Sequence, residues 1–261
     1  MKAPPETLVE MRGVKLQFAE HVVLQSVDLS VKPQEVLVIM GQSGSGKSTL
    51  LRLLLGLMKA DAGSIRFKEK EITKLSRPEL NRIRAGIGMV YQDSALLSSM
   101  SVRKNIALPL EELSDKNAKD IDSIVDQKLE LVGLKDVKDE LPAELSGGMK
   151  KRVGLARALA LDPELILFDE PSAGLDPINA MLINDLIVNL REQHKVTSIV
   201  VTHEMQSAFA VATRMAMLHE GTIIEEGSPD EFRQSKNPIV SKFLSAYTGH
   251  PKESPHANSQ K

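Results

Sequence analysis

The chain has 261 residues, enough for one large or two small domains around a substantial core. Its 42% hydrophobic and 26% charged residues and its net charge of -2 are ordinary for a globular protein and give no basic footprint for nucleic acid. It has no cysteine, which excludes disulfides and thiolate metal sites, and no run approaching the roughly 18 apolar residues that cross a bilayer. Residues 1–6 lack a signal-peptide core, so a cytoplasmic chain is expected, and any membrane span must come from another protein.

Residues 8–18 and 22–31 alternate in part, through Val9, Met11 and Val14, then Val23, Val27, Leu29 and Val31. That pattern predicts two half-buried antiparallel strands. Phe18 closes the first. Position alone favours a strand-end core residue, and a stacking platform for an adenine ring is the other reading. A continuous apolar run, Val36-Leu37-Val38-Ile39-Met40, follows and reads as a buried strand.

The next stretch is Gly41-Gln42-Ser43-Gly44-Ser45-Gly46-Lys47-Ser48-Thr49, and Leu50-Leu51-Arg52-Leu53-Leu54-Leu55 succeeds it. Strand, glycine loop and helix are the setting that the phosphate-binding pattern G-x-x-x-x-G-K-[ST] requires. Glycines let the backbone turn successive N–H groups toward phosphate oxygens, and the helix N-terminus adds its positive dipole end. Lys47 can neutralise the β- and γ-phosphates, and Ser48 can offer its hydroxyl to a magnesium ion. Nucleotide binding follows from this stretch alone.

Residues 61–64 read as a turn, 65–67 as a short strand, and 72–84 as a polar stretch with a helix starting near Pro78. Residues 87–91 read as a strand that ends in Gln92, whose amide oxygen could reach the metal or an attacking water. From 93 to about 161 strand signals stop. Residues 117–132 carry apolar side chains at helical spacing with Gly133 as a stop, and a second helix is expected from Ser146 to about Leu161. This stretch reads as a helical insertion into an α/β domain. Ser146 is a good N-cap, and Gly147 and Gly148 leave first-turn N–H groups bare, which makes a second anion site; a merely capped helix start is the alternative.

Residues 165–170 resume the sheet and end in Asp169 and Glu170. In P-loop enzymes such an Asp holds magnesium, and the Glu beside it can orient or deprotonate water. Residues 179–191 read as a helix, 198–202 as a buried strand, and 208–212 as part of a helix. His203, just past a strand end, lies on the ligand side of an open α/β sheet, where it could bond a γ-phosphate oxygen. Residues 215–218 and 222–225 read as a hairpin through Glu220-Gly221. The stretch from 248, rich in Pro, Ser, His, Lys and Asn, reads as disordered.

Together these motifs resemble the nucleotide-binding subunit of ABC transporters over roughly residues 8–245. Residues 41–48 match Walker A and Gln92 the Q-loop. Residues 145–149 match the signature and 165–169 Walker B, with Glu170 at the catalytic-base position. Residues 172–176, ending in Asp176, resemble the D-loop, and His203 the switch histidine. Phe18 matches the aromatic position that stacks on adenine, which shifts its reading away from the core. The resemblance implies a P-loop NTPase ABC ATPase fold: a RecA-like core, an antiparallel β subdomain and an α-helical subdomain at about 93–161. It implies one such domain over 1–247, ATP and Mg2+ as ligands, and hydrolysis coupled to transport. It also implies a head-to-tail dimer, in which Ser146, Gly147, Gly148 and Asp176 of one copy close over the ATP of the other.

The signature ends in Met149, where the family usually has Gln. Leu145-Ser146-Gly147-Gly148-Met149 is similar to the MCE-associated phospholipid-transport (MlaF-type) subgroup, as are residues 93–102, 105–110 and 132–134. That similarity implies an MlaE-like permease and an MCE-domain protein as partners, at the cytoplasmic face of the inner membrane. Ala95, Leu96, Leu97 and Met100 would form the docking face, and Phe243, Leu244 and Tyr247 either anchor the tail on a neighbouring subunit or pack on their own domain. An importer ATPase for amino acids or other small solutes shares much of this frame. A soluble repair or ribosomal ATPase of the family would carry a long coiled-coil insertion or a second cassette. A GTPase would carry N-K-x-D.

Overall fold

A computed structural model describes residues 7–248, with side chains to 245. The expected disorder of the tail beyond Thr248, and the side chain of Tyr247, lie outside the described residues. The first strands are β1 (Val9–Phe18) and β2 (His21–Val31), which pair antiparallel as the alternation predicts. β4 (Ala62–Phe67) joins the other side of β1, and the two-residue β5 (Lys70–Glu71) joins β4. The turn expected at 61–64 is instead mostly strand. The β1–β4 register shifts between Arg12 and Lys15, and Gly63 takes up the slack against the Gly13 backbone.

The parallel half is built from β3 (Val36–Met40), β6 (Ile87–Val90), β7 (Leu165–Asp169) and β8 (Thr197–Thr202). β9 (Arg214–His219) runs parallel to β3 and forms the expected hairpin with β10 (Thr222–Gly227). One sheet results, in the order β5-β4-β1-β2-β10-β9-β3-β8-β7-β6. A single pair, Thr222 with Ser26, joins its two halves.

Every residue of β3, β7 and β8 is buried, which explains why their sequences read as continuous apolar runs. The pleat still sorts them by alternation. Val38, Phe168 and Val200 join the core on one face; Ile39, Leu167 and Val201 join the core on the other. The second face is covered by α1 (Lys47–Leu54), whose Leu50, Leu51, Leu53 and Leu54 are buried. Burying each such side chain contributes about 1.5–3 kcal/mol. The first face is covered by helices from later in the chain, among them α6 (Pro177–Glu192) and α7 (Met205–Val211).

The helix α2 (Arg77–Arg84) starts with a capping box between Ser76 and Glu79. Between β6 and β7 lie α3 (Val102–Leu113), α4 (Ala118–Leu131) and α5 (Gly147–Ala158), which pack on one another. Asn117 caps α4, and Gly133, the expected stop, takes a left-handed φ of 67° past its end. The chain closes with α8 (Pro229–Arg233) and α9 (Pro238–Thr248). Phe243 and Leu244 pack on the core of their own domain.

Candidate active site

The C-terminal ends of β3, β7 and β8 meet at one sheet edge, because the three strands are parallel neighbours in register: Met40 pairs with Thr202, and Asp169 with Val201. The glycine loop leaves Met40, and α1 begins at Lys47 with Gly46 as N-cap in a left-handed conformation, φ 100°. That φ favours glycine. No side chain caps this helix, so its first N–H groups stay available to an anion. The buried hydroxyl of Ser45 has no hydrogen-bond partner among the described residues, which suits a loop whose acceptors come from phosphate.

Lys47 lies inside this loop. Its Nζ donates to the carbonyls of Gly41 (2.8 Å) and Gln42 (3.0 Å) and stands 4.0 Å from Glu170 Oε1. Burial pushes its pKa down, and the carboxylates of Glu170 and Asp169 oppose that shift. Ser48 Oγ donates to Asp169 Oδ1 at 2.8 Å across 121 residues of sequence. Burial raises the Asp169 pKa against the Ser48 bond, with the Glu170 charge adding to the rise. Arg52 and Lys47 offset part of that rise, and a bound cation would offset more of it. The Ser48 hydroxyl and Asp169 carboxylate are hard oxygen donors, and magnesium typically takes one or two such protein ligands and completes its shell with phosphate and water. The donor set fits.

Glu170 follows β7 with φ 50°, a left-handed conformation that costs a residue bearing Cβ about 1–2 kcal/mol. Its surroundings hold it there. Its N–H donates to Val201 O (2.9 Å). Its Oε2 accepts from Thr202 Oγ1 (2.9 Å) and His203 N (3.3 Å), and its Oε1 lies 2.9 Å from His203 Nδ1. The His203 side chain is 57% exposed, so its ring reaches outward from the buried carboxylate. This geometry holds the Glu170 carboxylate, with His203 against it, 4.0 Å from the Lys47 ammonium of the glycine loop.

Phe18 ends β1 opposite His21 and is 50% exposed, so the core reading is overturned and its face is free for stacking. Gln92 lies two residues beyond β6, one later than expected, and is exposed; no hydrogen bond joins it to Ser48 or Asp169. Gln42, Ser43 and Gly44 are exposed on the loop, and Thr49 is half-buried in the first turn of α1.

The Ser146–Gly148 helix start lies apart from the glycine loop in sequence and shares no hydrogen bond with it among the described residues. Ser146 caps α5, its Oγ accepting from Met149 N at 3.3 Å, so Gly147 and Gly148 open the helix with their N–H groups uncommitted. A Cβ on Gly148 would stand 2.4 Å from Asn179 Oδ1. Asn179 cannot simply yield, because its Nδ2 is bonded to Asp176 at 2.5 Å. Asp176 proves to be the N-cap of α6, accepting from the N–H groups of Ile178 and Asn179, both at 3.0 Å. Met149 turns inward and packs against the hydrophobic core. None of Ser146, Gly147 or Gly148 is hydrogen-bonded to residues 41–49 among the described residues. Just past Asp176, Ile178 (68% exposed) and Met181 stand out as an apolar surface.

A groove of about 420 Å³ runs along β6, lined in part by Tyr91, Ala95, Leu97, Leu108 and Leu113. Of the four residues expected in a docking face, Ala95 and Leu97 line this groove, Met100 does not, and Leu96 packs against the core. Arg157 of α5 also lines it and donates to the carbonyls of Ser94 and Ala95, both at 2.8 Å. Sequence reading passes over two side chains here. Thr202 had a signal, a hydroxyl directly before His203. Lys151 had none, because nothing in the sequence sets it apart from its basic neighbours Lys150 and Arg152.

The chain matches the family described as ABC transporter over residues 24–173, more than half its length. The chain is a member of the ABC transporter family. It is similar to the "Methionine import ATP-binding protein MetN" of Rhodopseudomonas palustris (strain BisB5), 41% identical over 256 residues, covering 95% of this chain and 69% of that protein. It is also similar to the "Intermembrane phospholipid transport system ATP-binding protein MlaF" of Haemophilus influenzae, 38% identical over 239 residues, covering 92% of this chain and 90% of that protein. Among solved structures it resembles a dimeric post-hydrolysis ATP-binding cassette, MJ0796, bound to ADP and Pi. The TM-score is 0.78 at 31% identity, over 85% of this chain and 98% of that one. As an ABC transporter ATP-binding domain it carries the sheet and motif order of an ABC ATPase. Among the described residues, no helix is long and apolar enough to cross a membrane.

Proposed function

We propose that this protein is the ATP-hydrolysing subunit of a membrane phospholipid transporter, working as a head-to-tail pair of copies on the cytoplasmic face of the inner membrane. The observation that carries the reading is the meeting of Lys47, Ser48, Asp169, Glu170 and His203 at one sheet edge. In this reading Phe18 stacks on adenine, and Lys47 and the N–H groups of residues 41–49 hold the phosphates. Ser48 and Asp169 would hold Mg2+, with Gln92 assigned to it by the family motif alone, and the ion would supply positive charge against the phosphate oxygens. Glu170 takes a proton from a water as the water oxygen bonds the γ-phosphorus. The bond from that phosphorus to the β–γ bridging oxygen breaks, releasing ADP and inorganic phosphate. His203 donates to a γ-phosphate oxygen.

The unattached Ser146–Gly148 site and the exposed apolar surface beside Asp176 support a second copy closing over the nucleotide. We take residues 1–247 as one ABC ATPase domain, with the helical part at about 93–161 and 248–261 as a tail. The apolar groove along β6 suits a cytoplasmic helix of an MlaE-like permease that works with an MCE-domain protein. Phospholipid as cargo is supported by the likeness to MlaF and by the Leu-Ser-Gly-Gly-Met signature. The likeness to MetN favours a second reading, a small-solute importer. Purifying the chain from its own membranes tests both. A co-purifying multi-span permease with an MCE protein, and hydrolysis that requires the permease, is expected. A periplasmic solute-binding partner would support the second reading, and no membrane partner at all would refute both.

A further inference from the structure

Lys151 is the least expected charge in the molecule. It lies on α5 one turn past the Ser146–Gly148 helix start, yet is only 7% exposed. Lysine is rarely buried so deeply without a carboxylate partner. Here no carboxylate lies within 4.0 Å of its Nζ among the described residues. Two backbone carbonyls take that place: Nζ donates to Ala173 O at 2.8 Å and to Glu170 O at 3.3 Å.

Those two carbonyls bracket the turn by which the chain leaves β7. Ala173 N also donates to Glu170 O (3.2 Å), and Leu175 N to Ser172 O (3.1 Å). Ser172 Oγ donates to Glu204 Oε2 (2.6 Å), and Glu204 directly follows His203. The turn is thus fixed from two directions: from α5 by Lys151 and from the β8 end by Glu204. Within it stands Glu170, with a left-handed φ that the free backbone would relax. A charge-assisted bond to its carbonyl opposes that relaxation.

We propose that Lys151 is a positioning residue for ATP hydrolysis, holding the strained Glu170 backbone so that its carboxylate stays beside Lys47 of the glycine loop, and tying it to the helix that carries the Ser146–Gly148 site. The proposal rests on Glu170 being the hydrolytic base. Its consequence is directional. A pull on α5 at its N-terminus, where nucleotide of the other copy would bind, is transmitted to Glu170 of the same chain through one side chain. Burial lowers the Lys151 pKa, so keeping the ammonium there costs the fold stability. A neutral side chain of similar length should therefore leave the fold standing.

The test is Lys151→Met in the full chain, with its membrane subunit if hydrolysis needs one. A misplaced catalytic group typically costs up to about a hundredfold in rate. The expected kcat is therefore ten- to a hundredfold below wild type, with KM for ATP changed by less than about threefold and the melting temperature close to wild type. Lys151→Gln, which keeps one donor for Ala173 O, should recover part of the rate, and it carries the same test if Lys151→Met does not fold. A double-mutant cycle separates positioning from general damage. In a Glu170→Gln chain, Lys151→Met should lower the residual rate less than about twofold. A kcat within twofold of wild type, or losses that multiply in full with Glu170→Gln, would overturn the proposal. If instead the wild-type chain hydrolyses ATP and Glu170→Gln does not slow it, the reading of Glu170 itself fails.

Discussion

Replacing Glu170 with Gln removes one charge and almost no volume. The amide oxygen can still accept from Thr202 Oγ1, which now holds Oε2 at 2.9 Å, and the main-chain bond to Val201 is untouched. The left-handed backbone at φ 50° is equally costly for Gln, so stability should change little. What disappears is the proton acceptor 2.9 Å from His203 Nδ1. General-base catalysis is worth about 10²–10⁴ in rate, or roughly 3–5.5 kcal/mol of barrier. Nucleotide affinity should hold or rise, because the negative charge 4.0 Å from Lys47 Nζ is gone and the ammonium is freer to meet phosphate. The assay is single-turnover phosphate release beside fluorescent-nucleotide binding on the same preparation. A rate at least a hundredfold down with unchanged or tighter ATP binding is expected. Hydrolysis within threefold of wild type would refute the assignment of Glu170 as the base.

Other outcomes follow from the same geometry. Phe18→Ala should weaken ATP binding by about 1 kcal/mol, the order of an aromatic stacking contact, with the fold intact because the ring is half exposed; titration with ATP and with inorganic triphosphate checks this, and only ATP should lose affinity. Chelating magnesium should abolish hydrolysis while leaving the melting temperature of the nucleotide-free chain unchanged, since Ser48 already satisfies Asp169 with a 2.8 Å bond. Truncating Phe168, fully buried in β7, to Ala should cost about 3–5 kcal/mol in denaturant unfolding. Glu231 accepts bonds from the Ser228 backbone and hydroxyl, which hold its pKa below the usual carboxylate value. That stabilisation is present above the ordinary carboxylate pKa and is lost as pH falls through the lowered one, so Glu231→Gln should flatten the acid side of the stability profile.

Much of the site was legible because its signals are local. The glycine loop announces itself by spacing within nine residues, and Asp169, Glu170 and His203 each follow an apolar run that can only be a buried strand. Their convergence needed one further rule, that parallel neighbours end at the same edge. The helix α3 went unread because Pro109 sits inside it, and an internal proline normally ends a helix. Tertiary bonds overrule that preference: the buried Asn105 side chain donates to the carbonyls of Leu97, Met100 and Ser101 and secures the helix start. The five-residue α8 carries too few turns to show a period. The buried lysine at 151 depends on contacts 19 and 22 residues away, to which local pattern is blind, whereas the cap role of Asp176, followed directly by Pro177, had a local signal that went unread.

The claim most exposed to test is that each nucleotide site is shared between two copies of this chain. Lys47→Ala should disable the glycine loop and Ser146→Arg the opposing helix start, and each variant alone should be inactive. In a mixed dimer one glycine loop and one Ser146–Gly148 site remain intact and face each other. Mixing equal amounts should therefore restore about a quarter of the wild-type rate, as random pairing of independent sites requires. Two inactive variants that stay inactive at every ratio, or a Ser146→Arg chain that hydrolyses ATP unaided, would contradict the account.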